Sequence, residues 1–177
     1  MRQVEVPRAL GRKYPEGVVL VSCIDAGGRP NIITLGWSMA TSGVPPMLAI
    51  SIAPQRYSHD LVRDSGEFVL AFPTEEMAEA ALLCGTKSGR DVDKFAEARI
   101  EAIPAIRVRP PLLGGCIANF ECVVRGAFTT GDHTIFAGEI LCAHVGESIA
   151  GRLYTLGPNH KMGGVREAPG SAKRRET

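Results

Sequence analysis

Two long segments rich in β-branched residues, 116–128 and 133–145, are joined by Thr130-Gly131-Asp132. A short glycine-bearing turn between two strand-like runs is a hairpin signal. This hairpin constrains the fold more than any other feature. Upstream, VVLVSCI (18–24) reads as a short buried strand. Asp25-Ala26-Gly27-Gly28-Arg29-Pro30 reads as a turn, and 31–40 (NIITLGWSMA) as the return strand. Pro45-Pro46 breaks the chain and cannot lie in a central ladder. Further strands are expected at 47–53 and 67–72. Helices are expected at about 58–65, with Ser58 as N-cap, and from Thr74 to about 84. Residues 100–113 carry Pro104, Pro110 and Pro111 and read as irregular. Many strands, few helices and no regular βαβ alternation predict a mainly β fold, a barrel or sandwich with a few short inserted helices. Neither G-x-G-x-x-G nor G-x-x-x-x-G-K-[ST] occurs, so the two common phosphate loops are excluded.

The length of 177 residues suits one domain, expected over 1–162, with 163–177 as a loose tail containing Lys173-Arg174-Arg175. The 20 basic and 19 acidic side chains leave a formal charge of +1, so no overall field favours nucleic acid or an anionic membrane. No apolar run approaches the roughly 18–20 residues needed to cross a bilayer, and Met1–Leu10 lacks a signal-type block. A cytoplasmic location is the expectation. The five cysteines, Cys23, Cys84, Cys116, Cys122 and Cys142, are odd in number and show no C-x-x-C spacing. Neither a disulfide framework nor a structural zinc site is expected. Cys23, Cys122 and Cys142 lie in apolar runs and read as small core residues. Cys84 reads as structural more than redox-active.

Side chains alternate faces along a strand. In 31–40 one face would carry Ile33, Leu35, Trp37 and Met39, the other Ile32, Thr34, Gly36 and Ser38; in 47–53, Ala49, Ser51 and Ala53 oppose Leu48, Ile50 and Ile52. Small residues let a flat ring lie close to the backbone. The same faces could equally pack against another part of the barrel or a second subunit. Ser88-Gly89-Arg90 and Lys94 could grip a phosphate monoester through a hydroxyl, a backbone N–H, a guanidinium fork and an ammonium. Arg56-Tyr57-Ser58, at the start of a helix, is a second anion candidate. The alternative is a solvated loop in which Arg90 and Lys94 pair with Asp91 and Asp93.

Several segments in order resemble a known family. These are Asn31 to Trp37 (NIITLGW), Pro45-Pro46, Ser51 to Ser58 (SIAPQRYS) and Gly66-Glu67-Phe68. Together they are similar to the flavin reductase-like FMN-binding proteins. Cys84 to Phe95 (CGTKSGRDVDKF) resembles their flavoredoxin branch, and Gly131-Asp132-His133 with Phe136-Ala137-Gly138-Glu139 resembles the family's late hairpin. The likeness covers about residues 10–160. It implies a split β-barrel homodimer with FMN near the subunit interface. By position, Thr34, Gly36, Trp37, Ser51, Arg56, Tyr57 and Ser58 would line the flavin, ribityl chain or phosphate. Ser88, Gly89, Arg90 and Lys94 would hold the phosphate end, and His133 would stand near the flavin or the nicotinamide path. Ala71 and Ser58 depart from the residues usual in the family, Asn and Thr. The implied activity is FMN-dependent electron transfer, as an NAD(P)H:flavin oxidoreductase using NADH or NADPH. The alternatives are a flavoredoxin-type carrier with a redox partner protein, and a non-redox β-barrel binding module.

Overall fold

The computed structural model describes residues 1–147 and 150–165. Its strands are β1 (Glu16–Gly17), β2 (Val19–Ile24), β3 (Pro30–Leu35), β4 (Ser38–Gly43), β5 (Pro46–Ile52), β6 (Glu67–Phe72), β7 (Ala102–Ile103), β8 (Leu112–Leu113), β9 (Ala118–Thr130), β10 (His133–Val145), β11 (Tyr154–Gly157) and β12 (Lys161–Gly163). The helices are α1 (Val6–Leu10), α2 (Tyr57–Ser65), α3 (Ala78–Thr86), preceded by a 3₁₀ turn, and α4 (Lys94–Ala98).

Seven strands form one antiparallel sheet in the order β3-β2-β6-β9-β10-β5-β4. The two edge strands, β3 and β4, are consecutive in the chain and separated only by Gly36 and Trp37. Laid flat, seven strands would hold their edges about 29 Å apart at ~4.8 Å per gap. From Leu35 to Ser38 the chain reaches at most about 10 Å. The sheet must therefore curl until its edges meet, which makes it a split β-barrel. The Ser51 N–H donates to the Trp37 carbonyl at 3.0 Å, which extends the β4–β5 pairing up to the break after β3.

Inside the barrel pack Val19, Val21, Ile33, Ile50, Phe68, Leu70, Cys122 and Phe136, capped by Leu61 and Val62 of α2. Outside, Val18, Leu20, Ile32 and Ala71 pack against Ala81 and Cys84 of α3 and Phe95 of α4. Because β2 is covered on both faces, its sequence is apolar at every position but Ser22 instead of alternating. Gly138 on β10 is where Phe68 fills the lumen; a Cβ there would stand 2.5 Å from the Phe68 Cζ.

Strand β6 coincides with the predicted 67–72, and the long hairpin is found within two residues of its expected place. The single return strand 31–40 is corrected: it is two strands on opposite sheet edges. Trp37 and Met39 consequently do not share the core face of Ile33 and Leu35; they are 51% and 58% exposed. Ser58 does not cap α2, whose N-cap is Arg56; it lies in the first turn, buried. The predicted tail falls mostly outside the described residues, and β12 ends at Gly163.

Candidate functional site

A cleft of about 610 Å³ opens at the seam. Ile33, Thr34, Leu35 and Gly36 form its floor with Ser51, Ile52 and Ala53 of the β5 end, while Ala81, Leu82, Gly85 and Thr86 of α3 form a wall. The small sheet β1–β11–β12 contributes Glu16, Thr155, His160 and Met162, and the β9–β10 turn contributes Asp132 and His133. A second hollow of about 380 Å³ adjoins it. The two share Glu16, Gly36, Trp37, Ser51, Asp132 and His133. Their sizes fall in the range of small-molecule and cofactor sites, ~300–1,000 Å³. Because β3 and β4 diverge at Gly36-Trp37, the seam supplies backbone and small side chains where a continuous ladder would have been closed.

Of the expected site residues, Thr34, Gly36, Trp37, Ser51, Arg56 and His133 line this cleft. The Thr34 hydroxyl donates to the Ala81 carbonyl at 2.6 Å, tying β3 to α3. The His133 ring lies 4.7 Å from the Trp37 ring at 47°. Its Nδ1 is 2.7 Å from Asp132 Oδ1, which sets the ring's orientation and leaves Nε2 free to meet a ligand. The hydrogen bond from His133 holds the Asp132 carboxyl below the usual range.

The two anion candidates are brought together. Gly89 is packed against Asn31 and Tyr57: a Cβ there would stand 3.2 Å from Tyr57 Cδ1 and collide with Asn31 Oδ1. Arg90 lies over the Tyr57 ring at 4.9 Å and 3.8 Å from Asp60. Residues 88–90 therefore cover the first turn of α2, beside Arg56. Arg56 is exposed, lines the cleft and makes no ion pair among the described residues. Ser58 is not free for a ligand; its hydroxyl accepts from Asn31 Nδ2 at 2.8 Å. Ser88 and Tyr57 are half-buried behind the cleft wall.

Lys94 is the exception. Its ammonium donates to the carbonyls of Ile32 at 2.8 Å and Cys84 at 2.7 Å, and the residue is 5% exposed. Burial pulls its pKa below the ordinary lysine value. It is a tie between β3, α3 and α4. The alternative pairing of Arg90 and Lys94 with Asp91 and Asp93 is not found among the described residues: Asp93 instead caps α4, accepting from the Phe95 and Ala96 amides at 3.0 and 3.2 Å. Burial pushes the Cys84 thiol up to about 11, which suits the structural role expected of it.

Sequence reasoning overlooked Glu16 and His160 of the cleft wall. Glu16 pairs with Lys13 at 2.6 Å, and the Lys13 ammonium stands 5.5 Å from the Trp37 ring centroid. His160 sits in the β11–β12 turn with φ 56. Neither lies in a motif, since both reach the cleft through the small sheet.

Residues 10–160 match the model of the flavin reductase like domain. The chain belongs to that family. A protein of Archaeoglobus fulgidus is 36% identical over 137 residues, covering 77% of this chain and 76% of its own. An NADH-dependent FAD reductase of Streptomyces globisporus is 26% identical over 156 residues, covering 88% and 83%. The crystal structure of flavoredoxin from Methanosarcina acetivorans superposes with a TM-score of 0.83 at 24% identity, over 99% of this chain and 97% of that one. At that identity the likeness is one of fold. The chain thus has the flavin reductase-like fold, and membership of the family supports a flavin-related redox function. No helix among the described residues is long and apolar enough to cross a membrane.

The cleft fits a flavin on its own chemistry. The floor is apolar at Ile33, Leu35 and Ile52, and carries hydroxyls at Thr34 and Ser51. Arg56 also lines the cleft and brings the positive charge of a guanidinium. A flat apolar ring with a polar edge and an anionic tail asks for that distribution.

Proposed function

We propose that this protein is an NAD(P)H:flavin oxidoreductase that holds FMN in the seam cleft. The observation that carries this reading is the pair of adjoining hollows sharing Gly36, Trp37, Ser51 and His133. One hollow accommodates a flavin, and its neighbour leaves room for a second ring against the first. A bound flavin supplies the redox chemistry, accepting a hydride and passing electrons onward. The chain's own residues supply binding and orientation. Thr34, Gly36 and Ser51 bed the ring. Arg56, with the 88–90 loop behind it, faces the phosphate. Trp37 and His133 form the wall between the two hollows, and Asp132 keeps the His133 ring turned so that Nε2 meets the incoming donor.

A homodimer completes the proposal. Trp37, Met39, Val44 and Phe128 are all more than half exposed. Trp37 and Met39 line the smaller hollow, Val44 lies in the β4–β5 connection, and Phe128 stands near the end of β9 opposite Ile135 of that hollow. An apolar rim of this kind suits a second copy of the chain closing the site.

Stoichiometric flavin absorbance of the purified protein, bleached anaerobically by NADH or NADPH at catalytic rates, is the expected result. A coloured protein that neither nicotinamide reduces would instead be a flavoredoxin-type carrier. A colourless protein that takes up no FMN at micromolar concentration refutes both.

A further inference from the structure

The β9–β10 hairpin carries a second chemical cluster away from the cleft. Cys142 stands opposite Glu121 in the ladder, and His144 lies two residues further along β10. Cys142 is seven residues from Ile135 of the smaller hollow, about 20 Å along a strand. A register shift between Ile140 and Cys142 leaves Leu141 as the extra residue of a bulge. Before the bulge, Phe136 and Gly138 point into the lumen; after it, Cys142 and His144 share the outer face with Glu121. Bulges reverse side-chain parity in this way.

Glu121 is fully buried beneath residues 105–108. Its Oε2 accepts from the amides of Ile106 at 3.2 Å, Arg107 at 2.5 Å and Val108 at 3.1 Å. Its Oε1 accepts from the Ile106 amide at 3.1 Å and meets His144 Nε2 at 2.6 Å. One ligand atom from each of Glu121, Cys142 and His144 lies within 4.8 Å of the other two.

We propose that Glu121, Cys142 and His144 form a binding site for one divalent transition-metal ion of the zinc type. A carboxylate oxygen, a thiolate sulfur and an imidazole nitrogen are the donors such an ion takes. In a four-coordinate site, bond lengths of about 2.0–2.3 Å set ligand atoms about 3.3–3.7 Å apart. The cluster brackets that spacing. The His144–Glu121 contact must widen by somewhat under 1 Å, and the His144 side chain is partly exposed. The amides on Oε2 orient the carboxylate, as partners behind a metal ligand do. The ion would take the lone pair of His144 Nε2, with the neutral imidazole carrying its proton on Nδ1, and would displace the proton of the Cys142 thiol to solvent. Cys142 and His144 are half-exposed, so water fills the fourth position. Cys142 is also the one cysteine of the five that is not buried. No C-x-x-C spacing signals the site, because its ligands come from two strands.

Cobalt(II) titration of the chelator-treated, dialysed protein tests this, read to the red of oxidised flavin absorbance. One equivalent is expected to give the visible bands of four-coordinate cobalt, displaced by one equivalent of zinc. Cys142→Ser and His144→Ala should each weaken binding at least about tenfold. In wild type, zinc should protect Cys142 from iodoacetamide, read by peptide mass spectrometry, which needs no variant to fold. No cobalt bands at tenfold excess, bands unchanged in Cys142→Ser, or alkylation of Cys142 unaffected by zinc would each overturn the site. Flavin content is read separately on the same sample, so failure here leaves the cleft assignment standing.

Discussion

Replacing Glu121 by glutamine should destabilise the fold at one identifiable point, the 105–108 segment whose amides it holds. The carboxylate is fully buried and accepts hydrogen bonds from three successive amides, with His144 at 2.6 Å. Those amides belong to a stretch between Pro104 and Pro110 that makes no ladder of its own, so Glu121 is their partner. Glutamine can still present one oxygen to them. Each bond then falls from the charge-assisted range of ~1.5–3 kcal/mol to ~1 kcal/mol, giving a loss of about 1.5–6 kcal/mol over three bonds. With a urea slope of ~2 kcal/mol/M, the middle of the usual range, the midpoint should fall by about 1–3 M. The comparison is made on flavin-free protein with chelator present, so that bound ligand does not mask the change. The loss has a sign in pH. Burial pushes the Glu121 carboxyl up, but the His144 contact and the backbone amides together outweigh it and hold the group below its ordinary 4.5. A depressed carboxyl contributes stability that is fully present above 4.5 and lost as pH falls through the lower folded value. The gap between wild type and Glu121→Gln should therefore be widest near neutrality and shrink in acid below about pH 4.5. A gap under about 0.5 kcal/mol at pH 7, or one that persists unchanged in acid, would show that the carboxylate does not hold the 105–108 segment.

Four other changes follow from the same geometry. Gly138→Ala places a methyl 2.5 Å from Phe68 Cζ and 3.0 Å from Cys122 Cβ. In a close-packed lumen it should cost about 1–3 kcal/mol in denaturant unfolding. Arg56→Ala should weaken FMN by about 1.5–3 kcal/mol in fluorescence titration while riboflavin, which lacks the phosphate, changes far less; equal losses would remove Arg56 from the phosphate end. Lys94→Ala strands the Ile32 and Cys84 carbonyls and should lower stability by about 2–4 kcal/mol, with no selective loss of FMN over riboflavin. His133→Asn should slow anaerobic reduction by nicotinamide while FMN affinity stays within a factor of about two, because its ring borders the second hollow and not the phosphate end.

The sequence reading succeeded where structure is local and failed where the barrel closes on itself. Strand β6 and the long hairpin are written in consecutive residues, as β-branched runs bounded by turn formers. The break at Gly36-Trp37 is not. The segment 31–40 reads as one alternating strand, and only closure of the seven-stranded sheet divides it, turning Trp37 and Met39 outward. The cleft was therefore legible as residues but not as a shape: Thr34, Gly36, Ser51 and Arg56 were named, while Glu16 and His160 enter through a small sheet that no motif announces.

The cationic loop shows the same limit at finer scale. Arg90 and Lys94 are four residues apart and look interchangeable in one dimension. Asp93 starts α4 between them and turns Lys94 inward onto two carbonyls, while Arg90 stays outside on Tyr57. A lysine's compact ammonium satisfies two backbone acceptors in a tight space; a guanidinium fork would not fit there and suits the open face of a ring. Charge counted along the chain thus does not separate a buried structural lysine from an arginine left outside. Glu121 is the converse case, a carboxylate inside an apolar strand whose purpose becomes visible only when the amides of 106–108 arrive from a segment that prolines keep out of any ladder. Both residues spend a full charge on unpartnered backbone, one on carbonyls and one on N–H groups, and in both the partner is set by the three-dimensional closure of the barrel.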